Sequence, residues 1–293
     1  MRNTIKMGAA TRCFYSLNSI LMLIIAVIMV YPVYYVIMVS LCAPEQLMQH
    51  TGALFWPLDA NLESYRLAFK NPMLLRGYGN TIFVVVVGVV VNLLLTSIGA
   101  YFLSRKNVRL QKPIYIAIII TMFFSGGMIP FYFAVKNLGL DGSLWALIFP
   151  SAINTFNLII MRVSFASIPD SLEESARMDG AGHLTMLFRI VLPVSKATLA
   201  VICLYYAVSH WNAWFHAMLF LNDREKYPLQ LILREILIQN DTSSMVTESA
   251  EQGYIGETIK YAVIVIATVP ILCIYPFLQK YFAKGVMIGA VKG

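Results

Sequence analysis

The sequence predicts an all-α membrane protein, a polytopic chain of about six transmembrane helices with one helical insertion on the cytoplasmic side. Three observations carry that expectation. Hydrophobic residues make up 59% of the 293 and charged residues only 13%, with a mean hydropathy of +0.71, whereas a soluble domain carries about 25% charged residues. Apolar runs near the ~20 residues that cross a bilayer as a helix recur along the chain. Between the fourth and fifth of them lies a charged stretch, "LEESARMDGAGHLTMLFRIVLP", residues 172–193.

The first run, 16–41, follows Arg2, Lys6 and Arg12. It is longer than the ~7–15 residues of a signal h-region and leads into "LCAPEQ" without a small-residue cleavage pattern, so it reads as a retained span. The second run is 81–103. The third, 113–135, is interrupted by "FSGGMIP", where a Gly-Gly pair and a proline can break a helix. Broken helices occur at transport sites, but a packing kink has the same signature. The fourth, 144–161, contains Asn154 and Asn157, which share a face at i, i+3. The fifth, 197–221, contains "LYYAVSHWNAWFHAMLFL" and places His210, Trp211, Asn212 and Trp214 at depth. Two readings stand for these polar groups: hydrogen-bonded glue between helices, or the lining of a substrate path. The sixth run is 261–278.

Lys and Arg set the orientation. With the N-terminus inside, inner segments hold 14 of the 22 basic residues and 4 of the 15 acids. Both termini are therefore expected in the cytoplasm, in the order N-terminal segment 1–15, inner loop 162–196, outer loop 222–260 and tail 281–293. The basic balance then reflects topology and does not call for nucleic acid. The interiors of the six runs contain no Asp, Glu, Lys or Arg, which argues against a proton- or ion-coupled carrier. A membrane-embedded enzyme would need clustered acid-base groups, and His210 and His216 share a run without a carboxylate. Cys13, Cys42, Cys203 and Cys273 are scattered and predict neither a metal site nor a disulfide framework. No G-x-x-x-x-G-K-[ST] loop is present, so energy for uphill transport must come from another polypeptide.

The inner loop is where such a polypeptide would bind. "PDSLEES" predicts a helix start, with Asp170 or Ser171 as N-cap and Glu173 or Glu174 completing a capping box. One of the two glutamates is then left for a partner. Gly180 suits a left-handed C′ position. "HLTMLFRIVLP" places Leu184, Leu187, Phe188 and Val191 at helical spacing, and Pro193 ends or kinks that segment. The first helix is too short to be stable alone and must pack on something.

The pattern Glu174-Ser175-Ala176, then Asp179-Gly180, then Ile190 and Leu192-Pro193 resembles the EAA loop of binding-protein-dependent ABC importer permeases, with Ser175 where the pattern has Ala. The chain is similar to MalG-type carbohydrate permeases, and through "HWNAWFHAMLFLND", "YPLQLILREILIQN" and "YFAKGVMIGAVKG" to their LplC/YtcP-like branch. That resemblance implies a single permease domain, 1–293, of the MetI-like fold in a bacterial cytoplasmic membrane. It implies a second homologous permease, two ATPase subunits carrying ATP and Mg, and an extracytoplasmic solute-binding protein as partners, beside lipid and the sugar. No cofactor or metal is expected on this chain, and no catalytic residue. Glu173, Glu174, Ser175, Ala176, Asp179, Gly180, Ile190, Leu192 and Pro193 would couple to the ATPase. Lys284, Gly285, Gly289 and Lys292 in the tail would contact it. The substrate would be an oligosaccharide or polysaccharide fragment, with alginate-type acids among the candidates.

Overall fold

The computed structural model describes residues 8–50, 52–105, 108–238, 256 and 258–273. Every regular element among them is helical. They form two compact units, one reaching to Asn71 and including the last helix up to Ile266, the other running on from Pro72 and including the remainder of that last helix.

In the first unit α1 spans Ala9–Ser40. Its unbroken apolar run carries one interior proline, Pro32, tolerated because membrane helices can re-satisfy the freed carbonyl locally. Most of its apolar side chains are exposed, as a lipid-facing helix requires. Its end packs Val39 and Cys42 against Leu54. Two short helices follow, α2 Pro44–Gln49 and α3 Glu63–Lys70. Ser64 Oγ on α3 donates to Thr258 Oγ1 at 2.8 Å.

The second unit is built round α4, Pro72–Ser104. At 1.5 Å per residue its 33 residues span roughly 50 Å, more than a bilayer needs. It begins well before the predicted start at 81. The third run is two helices, α5 Gln111–Phe123 and α6 Met128–Asn137, meeting at 119°. Gly127 turns the chain there with φ +87°, so "FSGGMIP" is a sharp corner.

The fourth run departs from expectation. Residues Leu144–Leu147 make one 3-10 turn, and the helix α7 starts only at Thr155 and runs to Ala166. Asn154 causes the late start: its side chain caps the helix by accepting the Asn157 N–H at 3.1 Å, the role that favours Asn at an N-cap.

After α7 come α8, Asp170–Met178, and α9, His183–Met186. A π turn over Leu187–Val191 leads into α10, Leu192–Val194. Leu192 N–H bonds to the Leu187 carbonyl, five residues back. The wide turn falls where Pro193 removes a donor and its ring would crowd the Arg189 carbonyl. An 87° bend then leads to α11, Lys196–Trp211. The fifth run is also shorter than predicted. It stops at Trp211, and α12 resumes over Phe215–Phe220. Within the segment predicted as the outer loop, α13 spans Leu229–Ile238 and buries Leu229, Leu231, Ile232 and Ile236. The last helix, α14, is Thr258–Cys273.

Among the described residues two helices are individually long and apolar enough to cross a membrane, Thr11–Ser40 within α1 and Pro72–Ser104, and the number rises to four if each bent pair is one span; Thr155–Ala166 and Thr258–Cys273 are shorter apolar helices.

Candidate functional site: a charged cleft and a polar cavity on one helix

Two concave sites are built from elements bonded to α4. At its C-terminal end a cleft of about 390 Å³ is bounded by Ser104, Arg105, Phe165, Asp170, Glu173, Glu174, Arg177 and His183. Arg105 organises it. Its guanidinium forms an ion pair with Glu173, donates to Ser104 Oγ at 3.0 Å and to the Phe165 carbonyl at 3.4 Å, and lies 4.7 Å over the Tyr101 ring. The ion pair is nearly sealed, with side-chain exposures of 11% for Arg105 and 10% for Glu173. Burial pulls the Arg105 pKa below its ordinary value, with the charges of Tyr101 and Asp170 opposing that shift and Arg177 adding to it. An arginine stays charged through such a shift, so the pair is ionic.

The loop's first helix, α8, is thereby fixed in orientation. Glu173 and Ala176, one turn apart, face inward, while Glu174, Ser175, Arg177 and Met178 are exposed, Met178 to 88%. The predicted capping box is not made. Pro169 occupies the N-cap position with no side-chain cap bond, so the helix opens at Asp170, and Glu173 turns to Arg105 instead of back to the chain. Both first-turn acids still face the positive end of the helix dipole. The C-terminus follows the expectation closely. Gly180 adopts φ +80°, its N–H bonds to the Arg177 carbonyl at 3.0 Å, and Ala181 N–H bonds to the Ala176 carbonyl at 2.9 Å. These two bonds constitute the Schellman closure. In the second segment Leu187 and Val191 are buried, but Leu184 and Phe188, four residues apart on another face, are exposed. Ile190 and Leu192 pack on the core beside them, and Pro193 is exposed.

The second site is a cavity of about 340 Å³ walled by Ser151, Asn154, Phe156 and Asn157 on one side and Tyr205, Tyr206, Ser209 and His210 on the other. Three of the predicted path residues, His210, Asn154 and Asn157, are brought together here. Trp211, Asn212 and Trp214 are not among the lining residues. The break after Trp211 turns them away: Trp211 is buried edge-on to Tyr78 at 6.3 Å, Asn212 donates to the Val208 carbonyl of its own helix at 2.9 Å, and Trp214 lies under Arg234 at 4.9 Å.

Asn92, which the sequence reading passed over, ties this site together. Its amide donates to the Ser151 and Ala152 carbonyls at 2.9 and 2.8 Å, and its oxygen meets His210 Nε2 at 2.6 Å. One turn earlier, Gly88 makes room for the ring, since a Cβ there would stand 2.6 Å from His210 Nε2. Thr96 and the Tyr206 hydroxyl bond at 2.7 Å, and that hydroxyl accepts the Asn154 N–H at 3.0 Å. A lone Asn in "VVVVGVVVNLLLTS", four residues after Gly, was the available signal. Arg105 carried only its place as the first cation after a span.

At the other end of α4, Arg76 pairs with Glu225, Asn80 donates to the Glu225 and Tyr227 carbonyls, and Thr81 Oγ1 accepts the Leu229 N–H at 2.8 Å. The segment from Glu225 to the start of α13 is thus fastened to α4. The tail residues Lys284, Gly285, Gly289 and Lys292 lie outside the described residues.

No family model matches the chain. It is 44% identical over 277 residues to the polygalacturonan/rhamnogalacturonan transport system permease protein YtcP of Bacillus subtilis (strain 168), covering 93% of this chain and 96% of the relative. It is also 44% identical over 285 residues to the protein LplC of the same organism, covering 97% and 96%. The chain is a carbohydrate ABC importer permease. A solved chain from a bacterial ABC transporter involved in the import of the acidic polysaccharide alginate superposes on this permease with a TM-score of 0.88 at 35% identity, covering 95% of this chain and 100% of that one. A second chain, from the alginate transporter in complex with an alginate pentasaccharide-bound periplasmic protein, has a TM-score of 0.52 at 17% identity and shares the fold. The permease is accordingly an all-α, multi-pass membrane subunit, and its chemistry is transport rather than catalysis.

Proposed function

We propose that this permease forms half of the translocation path for an acidic oligosaccharide or polysaccharide fragment of the galacturonan or alginate type, the cargoes named for its relatives. It would lie in the cytoplasmic membrane with both termini inside. Its complex would contain a second homologous permease, two ATPase subunits that hold ATP and Mg²⁺, and an extracytoplasmic solute-binding protein. The cavity's lining residues include no Lys, Arg, Asp or Glu, so recognition of uronate charge falls to the binding protein or the partner permease. This chain would offer the sugar hydrogen bonds and ring faces. The tail from 281 onward would reach the ATPases.

The observation that carries the coupling role is the division of labour in α8. Glu173 is committed to Arg105 inside the chain, whereas Glu174 faces out beside the exposed Met178. A solvated glutamate next to an exposed apolar side chain suits a partner cleft that offers a cation and an apolar floor. Glu174 is therefore the ATPase contact and Glu173 the anchor that holds the helix on α4. Closure of the ATPases on ATP would move α8, and α4 would follow through Arg105. The driving force is the difference in ATP affinity between the two states.

The test is reconstitution with the ATPase and binding protein. Glu174→Lys is expected to leave the subunit in the membrane while ATP hydrolysis no longer drives uptake. Uptake at the wild-type rate in that variant overturns the assignment. Competition of uptake by galacturonate oligomers, and its absence with neutral oligomers of equal length, tests the acidic cargo.

A further inference from the structure

We infer that Asn92 holds His210 in the tautomer protonated at Nε2, so that Nδ1 faces the cavity as a fixed acceptor for a hydroxyl group of the passing sugar. Hydrogen counting leads there. The Asn92 amide has two hydrogens, and both are directed at carbonyl oxygens, those of Ser151 and Ala152. An amide oxygen can only accept. The 2.6 Å contact with His210 therefore needs its hydrogen on Nε2. In an uncharged imidazole the other nitrogen then carries a lone pair. No carboxylate occurs in α4, α7 or α11 to balance a charged ring, and burying an unpaired charge is costly.

Nδ1 makes no hydrogen bond among the described residues and is not sealed from solvent, although the residue as a whole is only 5% exposed. It belongs to a side chain lining the cavity with Asn154, Asn157 and Ser209. Gly88 and Asn92, one turn apart on α4, both meet the Nε2 edge of the ring, so the acceptor is positioned before the sugar arrives. Only a group with a hydrogen to give can use it. The contact selects sugar hydroxyls and offers nothing to an ionised uronate. This inference rests on the reading of the cavity as part of the translocation path, and Asn92 acts in it as a positioning residue.

Two measurements on the full reconstituted complex test it. With this subunit alone carrying ¹⁵N-histidine, the His210 signals, assigned by their loss in His210→Gln or His210→Asn, are expected to show a protonated Nε2 and a bare Nδ1. The opposite tautomer overturns the proposal without any sugar being present. The second measurement is the number of galacturonate oligomers taken up per ATP hydrolysed. His210→Gln keeps a donor for Asn92 but has no group at the Nδ1 position, and its ratio should fall roughly three- to tenfold, the worth of one hydrogen bond. His210→Asn keeps an acceptor near Nδ1 and should lose less. An unchanged ratio in His210→Gln overturns the hydroxyl contact. If Asn157→Ala and Ser209→Leu lower the ratio while His210→Gln does not, the path reading survives and this inference fails. If none of the three changes it, the path reading itself fails.

Discussion

The cleft at the C-terminal end of α4 and the cavity whose walls are bonded to the middle of that helix use opposite chemistry for the same purpose, which is to fasten a second element to α4. The cleft uses a buried ion pair, Arg105 with Glu173. The cavity uses neutral groups only, Asn92 with His210 and two carbonyls, Thr96 with Tyr206. Where the loop meets water, a charged pair can be assembled and then closed over. Inside the bilayer the same pair would carry a heavy desolvation penalty, and amides and hydroxyls replace it. The difference teaches that one helix can bear a strong, charge-specific joint at one end and a set of weaker, geometry-specific joints along its middle.

Removing one partner from each joint should expose that difference. The largest effect is expected for Arg105→Ala, which leaves Glu173 buried and unpaired at a cost of about 3–5 kcal/mol. Loss of assembled complex, or a large drop in melting temperature of the purified subunit, is the readout. A drop no greater than that of an exposed-site variant would remove the anchor from the account of coupling. Gly88→Ala comes next. Its Cβ would stand 2.6 Å from His210 Nε2, and displacing the ring by overpacking costs about 1–3 kcal/mol. Here the melting temperature should fall less than for Arg105→Ala, while uptake per ATP falls with it because the ring no longer sits where Asn92 holds it.

A third variant isolates backbone geometry. Nothing lies within 4 Å of a Cβ built on Gly180, and its φ is +80°, so Gly180→Ala should cost only the left-handed penalty of about 1–2 kcal/mol. Its main effect should be on coupling, since the Schellman turn sets the angle at which α8 leaves the membrane domain. ATPase stimulation by the sugar-loaded binding protein, compared between Gly180→Ala and wild type, is the check.

How legible each region was follows from how local its signals are. The α8 turn is written in consecutive residues: a proline before the helix, a glycine after it, and side chains at i, i+3. That part was readable, including Gly180. The N-cap was not, because the competition for Glu173 came from Arg105, far along the chain, and an ion pair outcompeted a capping bond. The six apolar runs were likewise visible in composition, but the breaks at Asn154 and Asn212 were not. Both are asparagines whose side chains bond to backbone at a helix end, and hydropathy averages over them. The cavity was half legible. His210, Asn154 and Asn157 could be singled out as polar residues at depth, yet Asn92 joins them only through contacts with residues distant in sequence, which no local pattern encodes.

The two asparagines facing opposite fates give the smallest expected effect. By sequence Asn212 is one of the candidates for the path, placed beside His210 and between tryptophans. In the fold it is exposed, and its side chain donates to the Val208 carbonyl of its own helix. Asn92 is fully buried and holds three partners. Asn212→Ala should therefore change stability by no more than about 0.5 kcal/mol, as for other exposed sites, and leave uptake per ATP at the wild-type value. Asn92→Ala removes the partner of two carbonyls and an imidazole N–H and should cost about 1–3 kcal/mol. Measured side by side, the pair separates a residue that only ends a helix from one that joins α4, the 151–152 turn and α11. Equal losses in both would mean that the break after Trp211, and not the Asn92 joint, controls the cavity.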